Sequence, residues 1–359
     1  MIELKTLNKH QLSLFIQSDI YATMPILPIS KHRAISHIHN PRANDDDVLL
    51  ILTYEDNNLL GYLGILPDDI YAYSGEIFHV GWLSCIWVSP MARGKGIAKK
   101  MVLKAYETYN HQILITNFTK EAGLLYHKLA IFENLPDMVG YRYYRKMCFA
   151  QILPSRFPNT KSLKFLFKLF DNAFNLFWTP FLKGKNKKLK IENAFPSKDY
   201  LIRSNIFNVS VGFKRSEKEF KWIENYPWIK QVKTKSKEAN KYHFSSEEKQ
   251  FESMLMQISK KDEVWGYIKY IYRNGHLRIP YILYSTKNDE IFANAITQLV
   301  LQKDASYITL FLPDEVKRKL NFRYLYKKPI KRQFKITTEL NRKINAITIF
   351  DGDGDASFT

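Results

Sequence analysis

The stretch Ser84-Cys85-Ile86-Trp87-Val88-Ser89-Pro90-Met91-Ala92-Arg93-Gly94-Lys95-Gly96-Ile97-Ala98 constrains this chain more than any other. An apolar run closes at Val88, Ser89-Pro90 breaks it, and a basic turn with two glycines follows. A helical pattern then runs from Ile97 to Tyr109. That succession puts free backbone N–H groups, a helix N-terminus and cationic side chains at one point. Such a point suits an anionic, phosphate-bearing ligand; the plainer reading is a strand–loop–helix joint. Gly94 and Gly96 let the chain turn tightly and bring amides against such a ligand with no side chain in the way. Arg93 and Lys95 add full positive charge, and Lys99 and Lys100 stand at the rim.

A chain of 359 residues is long for one domain and comfortable for two, and 45% hydrophobic content supports real cores. No window reaches the roughly 18 uninterrupted apolar residues of a membrane span. The first ten residues lack the apolar core of a signal peptide. Cys85 and Cys148 are too few for a disulfide framework or a zinc site, so no metal is expected and both read as buried thiols. The expected location is cytoplasmic, or peripheral to the inner face of the membrane. The net charge of +19 favours anionic partners without choosing among nucleic acid, acidic lipid and phosphorylated small molecules.

In order, residues 2–6 read as a strand and 8–17 as a helix, followed by an irregular stretch, 24–47, with His32, His37, His39 and Arg42. Strands are expected at 48–53, 59–66, 77–88, 113–116 and 139–149, with a helix at 120–129. With this element order around it, Arg93-Gly94-Lys95-Gly96-Ile97-Ala98 resembles the acyl-CoA signature Gln/Arg-x-x-Gly-x-Gly/Ala of the GCN5-related N-acetyltransferase (GNAT) superfamily. Ala122-Gly123-Leu124-Leu125-Tyr126-His127-Lys128-Leu129 is similar to the family's Ala-x-x-x-Tyr-x-Lys-Leu helix. The resemblance covers roughly residues 1–150. It implies an α/β (α+β) fold with a mixed, mostly antiparallel sheet flanked by helices, and acetyl-CoA as acyl-donor cosubstrate. It implies that Arg93, Gly94, Lys95, Gly96, Ile97 and Ala98 hold the pyrophosphate, while Ile86 and Val88 pair with the pantetheine arm through their main chain.

Acyl transfer to an amine needs a neutral amine, a polarised thioester carbonyl and an acid for the leaving thiolate. The resemblance makes Tyr126 that acid; the other reading is that it packs its helix against the sheet. The family often places the base as a carboxylate on the strand before the loop, and residues 82–88 contain none. Glu76 and His79 are the nearest candidates, either acting directly or through water, although a lone strand histidine also serves structural ends. Ala130-Ile131-Phe132 stands where the family usually has Gly-Phe, which leaves the helix end open. The polar stretch from His32 to Arg42 falls where the family builds its acceptor site, and reads either as that site or as a solvated loop.

Residues 161–190 carry eight Lys against one Asp amid Phe, Leu and Trp. On a helix Lys164, Lys168, Asp171, Asn172, Asn175 and Thr179 form one polar stripe, and Pro180 ends it. The composition fits an interfacial helix on an anionic membrane, or a helix wedged between two domains with its apolar face buried. Nucleic acid is less favoured, because no RNA-binding signature accompanies the lysines. From about 192, after a helical pattern at 217–225, strands at 251–259, 264–272 and 278–285, a helix at 289–302, a strand at 307–312, a helix at 315–320 and a strand from Phe322 onward echo the order of the N-terminal half. That echo implies a tandem, degenerate second copy. Its joint, Tyr284 to Asp289, has no glycine and an acid where phosphate would sit. The expected organisation is therefore a 1–150 acyl-CoA-binding domain, a 151–191 amphipathic linker and a 192–359 degenerate domain. Asp351-Gly352-Asp353-Gly354-Asp355 lacks the later Glu and the flanking helices of a calcium loop and reads as a turn or acidic tail, or as hydroxyl-binding carboxylates for a cleft between the halves.

The function implied is direct transfer of acetyl from acetyl-CoA to an amine of a small molecule, amino sugar or peptide. Two other classes stand beside it. One is an aminoacyl-tRNA-dependent transferase of the peptide-bridge type, in which the pyrophosphate loop is generally degenerate, unlike Arg93 to Ala98 here. The other is a non-catalytic CoA-binding or membrane-surface protein.

Overall fold

The computed structural model describes residues 1–182, 189–260 and 263–358. In chain order the strands begin with β1 (Ile2–Leu7), β2 (Leu50–Glu55), β3 (Asn58–Tyr71), β4 (Ile77–Val88) and β5 (Ile113–Thr116). They continue with β6 (Phe132–Asn134), β7 (Met138–Tyr144), β8 (Lys190–Asn193), β9 (Lys230–Gln231) and β10 (Glu247–Glu248). The last six are β11 (Phe251–Lys260), β12 (Glu263–Arg273), β13 (His276–Leu283), β14 (Tyr307–Leu310), β15 (Tyr326–Arg332) and β16 (Phe334–Thr337).

Two compact units result, and neither is a continuous stretch of chain. The first comprises Met1–Met138, Phe195–Ser253 and Arg332–Thr359; the second comprises Val139–Ala194 and Met254–Lys331. The first unit's main sheet runs β1-β2-β3-β4-β5-β16-β6 and is antiparallel except where β4 meets β5. The second unit's sheet runs β15-β7-β14-β13-β12-β11-β8, with β13 and β14 parallel. Both are the mixed, mostly antiparallel sheets with flanking helices that the sequence implies, and they occur in tandem.

The expected boundaries of 1–150, 151–191 and 192–359 do not coincide with these units. The strand expected at 139–149 forms as β7, but it pairs with β14 in the second sheet. The strand expected from Phe322 onward divides: β15 joins the second sheet, while β16 enters the first between β5 and β6. Residues 195–253 also belong to the first unit, where Phe213, Trp222, Ile223 and Trp228 pack in one core with Trp82, Phe334 and Ile336. Alternation of apolar residues marks a strand and its buried face, but the partner is chosen by packing between distant segments.

Local expectations fare better because capping and periodicity are local. Helices form at Lys120–Leu129, Glu217–Asn225 and Asp289–Gln302 as the pattern predicts. The stretch 24–47 is less irregular than expected, since a helix spans Lys31–Ile38 after Ser30. Its buried residues are Arg33, Ala34, Ser36 and His37, a mostly polar face that apolar periodicity does not reveal. Ala130 ends the Lys120–Leu129 helix at φ 55°, the left-handed conformation for which glycine is the usual residue. Cys148 is buried, whereas Cys85 is only half-buried, contrary to expectation. Among the described residues no helix is long and apolar enough to cross a membrane.

Within 161–190, the helix Lys164–Trp178 carries Asp171 and Asn175 of its polar stripe against residues 147–150. Its broad apolar side faces outward instead of being buried by protein. Residues 183–188 of the basic tail lie outside the described residues.

Candidate functional site

β4 is where the first unit's sheet opens. It pairs with β5 only through Gly81, Trp82 and Leu83, yet it continues beside β3 to Val88. Residues 84–88 therefore present one edge with no strand partner in β5, so an extended ligand arm can hydrogen-bond there as an added strand. Ile86 and Val88 are half-buried on this segment and pack with Ile97 and Ile115. Opposite, Leu63 of β3 faces two residues of β4, because Tyr62 pairs with Trp87 and Gly64 with Ser84. The extra residue is a bulge in which Cys85 takes φ 57°. A Cβ on Gly64 would sit 3.0 Å from the Ser84 carbonyl, so this bulge depends on a glycine across the sheet.

The basic turn follows directly. Gly94 and Gly96 have φ 85° and 73°, and a Cβ on either would meet no protein atom within 4 Å. Glycine is thus required by backbone conformation, and the space above both residues is open. Gly96 caps the helix Ile97–Thr108, whose first amides point out of the turn unpaired. Ile97 is buried and anchors the helix, Ala98 is half-buried, and Arg93 is exposed. Lys95 is tied to Glu55 at 3.1 Å, so its charge is shared with that carboxylate. Open space, free amides and an exposed Arg93 are what a pyrophosphate needs. The corresponding helix of the second unit, Asp289–Gln302, is different. Its first turn carries Asp289 and Glu290, and the Asn288 side chain already accepts from Ile291 N at 3.2 Å.

Tyr126, on the helix Lys120–Leu129, is 2% exposed and shares an apolar cluster with Ile86, Val88, Ile97 and Ile115. Its ring meets Phe118 and Phe132 edge-on at 5.7 and 5.5 Å. Burial pushes its hydroxyl pKa up, which keeps the phenol protonated and able to donate. Glu76 and His79 lie elsewhere. His79 is six residues before Cys85 on β4, about 20 Å along an extended strand. Both line a cleft of about 490 Å³ with Asn44, Asp47, Tyr109 and Lys343. His79 Nε2 lies 2.9 Å from Asp47 and Nδ1 lies 2.8 Å from Asp69. These two hydrogen bonds raise its pKa to about 9, so it is a cation at neutral pH and not a ready base.

That clamp has a pH signature. His79 unfolded titrates near 6.5, so above that pH the folded state binds the extra proton. Its stabilisation is complete below pH 6.5 and lost as pH rises through about 9. Asp69 behaves oppositely: although burial alone would raise its pKa, His79 and Arg42 lower it, so its stabilisation is lost on acidification. The melting temperature of the wild type is expected to fall across the alkaline range to pH 9, and that of His79→Asn to stay flatter. Parallel slopes for the two proteins would show that the clamp does not contribute.

Of the residues that gather at the β4 bulge, Arg33, Trp228 and Tyr242 were not singled out individually from sequence, and Asp355 was read only as part of its acidic run. Arg33, 3% exposed, donates from Nη2 to Ser84 Oγ and from Nη1 to Tyr242 Oη, each at 2.9 Å. It also contacts the Cys85 thiol, and its guanidinium stacks 3.8 Å above the Trp228 ring. Ser84 Oγ donates in turn to Asp355 Oδ2 at 2.6 Å. Asp355 thus places a carboxylate beside the strand segment that has none of its own.

The run Asp351 to Asp355 is a packed segment in which the three acids have separate partners. Arg332 pairs with Asp351 at 2.7 Å, Arg215 approaches Asp353 at 3.7 Å, and Asp355 takes Ser84. Gly354, at φ 66°, lies so close to Trp82 that a Cβ would meet its ring at 2.9 Å. Phe358 stacks on Trp228 at 4.5 Å. Among the described residues no group of His, Cys, Asp and Glu could hold a metal ion. From the polar stretch before β2, Arg42 binds Asp69 at 3.0 Å and Glu219 at 2.9 Å, while His32 meets the Trp228 carbonyl at 2.6 Å. The stretch is a buried polar scaffold, and Arg33 is its member that reaches β4.

Comparison with known proteins agrees with this geometry. Residues 18–128 match the model of the acetyltransferase (GNAT) family. No curated protein matches the chain. A probable N-acyltransferase of unknown function from Enterococcus faecalis is similar in structure, with TM-score 0.51, 11% identity, and 95% of this chain and 74% of that one covered. Saccharomyces cerevisiae N-myristoyltransferase with bound myristoyl-CoA gives TM-score 0.51 and 11% identity over 94% of this chain and 80–82% of that one. A GCN5-related N-acetyltransferase from Anabaena variabilis gives 0.50 and 11% over 93% and 72%. At these identities the likeness is one of fold, and it extends over both units.

Proposed function

We propose that this chain, whose residues 18–128 match the acetyltransferase (GNAT) family model, is a member of that family and transfers an acyl group directly from acyl-CoA to an amine. Acetyl-CoA is the simplest donor, and the acceptor class is a small molecule, amino sugar or peptide bearing a primary amine. The observation that carries this reading is the open turn at Gly94 and Gly96, contiguous with the unpaired edge of residues 84–88. Diphosphate on the free amides and Arg93, with an extended arm along Ile86 and Val88, brings a thioester toward the Cys85 bulge. There Asp355 accepts the ammonium proton of the acceptor, and the freed amine attacks the thioester carbonyl. The carbon–sulfur bond breaks as the tetrahedral intermediate collapses and Tyr126 supplies a proton to the leaving thiolate; the attacking nitrogen gives up its second proton through solvent to restore the Tyr126 phenol, and Asp355 releases the first proton to solvent. Arg33 holds Ser84, and through it the Asp355 carboxylate, in place.

Isothermal titration with acetyl-CoA tests the premise. The wild type is expected to bind, and Arg93→Ala to bind about tenfold more weakly through loss of a charge-assisted contact to phosphate. Absence of binding by the wild type would remove the reading altogether. Thiol release measured across a panel of amines and amino sugars then identifies the acceptor.

A further inference from the structure

The helix Lys164–Trp178 is amphipathic, but its apolar side is the one that meets solvent. Its polar residues are used inward. Asp171, 6% exposed, accepts from Phe149 N at 3.0 Å and Ala150 N at 2.8 Å. Asn175 both accepts from Met147 N and donates to Met147 O at 2.9 Å, and Trp178 Nε1 donates to Arg145 O at 2.9 Å. These bonds fix the helix's rotation. On the other side Phe165, Leu166, Leu169, Phe170, Leu176 and Phe177 are each more than half exposed. At about 100° per residue these six fall within an arc of about 140°, a single continuous stripe. Isolated apolar residues on a surface need no explanation, but a contiguous stripe of large ones marks a docking face.

The charges around the stripe identify the kind of partner. Lys161, Lys164 and Lys168 are exposed; by the same projection Lys168 lies about 60° outside the stripe and Lys164 on the polar side, and the one acid of the helix is the buried Asp171. In sequence Lys183, Lys185, Lys187 and Lys188 follow directly. A second copy of the chain would bring these lysines against their own kind, whereas an anionic surface would neutralise them. The helix has 15 residues and is about 22 Å long, too short to span a hydrocarbon core of about 30 Å. We propose that this face docks on a bilayer containing anionic lipid, its axis in the plane of the interface, with aromatic and leucine side chains inserted and lysines at the headgroups.

Flotation of the full chain with vesicles tests this, and its readout is independent of acyl transfer. Partition onto phosphatidylcholine vesicles containing phosphatidylglycerol is expected to exceed that onto phosphatidylcholine alone by at least about tenfold. Substituting Leu166→Ser, Phe170→Ser, Leu176→Ser and Phe177→Ser together is expected to abolish flotation with the thermal melt retained, since these side chains are solvent-facing. The surface variant Lys161→Gln, Lys164→Gln, Lys168→Gln is expected to lose about tenfold on the charged vesicles and to fold normally. Three results overturn the proposal. They are no flotation on either vesicle, equal flotation on both, and a lipid-free dimer in sedimentation velocity that the four serines dissociate, which would assign the face to a second copy.

Discussion

Replacing Asp355 by asparagine is expected to lower kcat for acyl transfer by about 10²–10³-fold while leaving the affinity for acyl-CoA nearly unchanged. Asparagine is close in shape and its side-chain oxygen still accepts from Ser84, so the 2.6 Å contact and the packing of residues 351–358 survive. Only the capacity to take a proton is removed. A carboxylate that merely orients Ser84 would be replaced with little loss, which separates the two roles. Tyr126→Phe provides the complementary arm, because loss of the proton donor slows departure of the thiolate, whereas a packing role would leave kcat intact. Wild-type kcat in Asp355→Asn would falsify the assignment of the base and return the search to groups acting through water.

This proposal also marks the boundary of what the residues alone could disclose. The glycine turn was legible because its determinants are contiguous: Val88, Gly94, Gly96 and Ile97 encode strand end, two left-handed positions and a helix start within ten residues. Tyr126 was legible as part of a local block on a regular helix. Asp355 was not, because it meets Ser84 across 271 positions of sequence, and an Asp-Gly-Asp-Gly-Asp run has several local readings. Arg33 was hidden for a related reason. The buried face of its helix is polar, so the hydrophobic periodicity that reveals most helices is weak there. Its place inside the polar His32–Arg42 stretch, directly after His32, was the available signal. The exchange of β7 and β16 between sheets is invisible for a third reason, since alternation specifies which face of a strand is buried and not beside which strand it lies. The 161–190 helix shows the limit of amphipathicity itself. The pattern correctly divides polar from apolar, but the direction each side faces was decided by Asp171 and Asn175 finding backbone partners at 147–150.

The second large effect concerns stability. Asp68 on β3 and Arg215 form two parallel bonds of 2.7 and 2.6 Å, with both side chains at most 4% exposed. Removing one partner leaves a charge in a site that water does not reach, so Asp68→Asn is expected to destabilise the first unit by about 3–5 kcal/mol. Arg215→Met is expected to be worse, because it removes the guanidinium that faces two buried carboxylates, Asp68 and Asp353, the latter at 3.7 Å. Combining Asp68→Leu with Arg215→Met is expected to recover part of the loss by replacing the pair with apolar volume. Urea unfolding followed by tryptophan fluorescence reads this unit directly, since Trp82, Trp222 and Trp228 share its core. The link to activity gives a second readout. Asp353 belongs to the segment that presents Asp355, so losing Arg215 loosens that segment, whereas losing Asp68 leaves Arg215 facing Asp353. At urea-free, fully folded conditions Arg215→Met is therefore expected to lose more kcat than Asp68→Asn. Equal activities would mean that the ion pair supports the fold without holding the base in place.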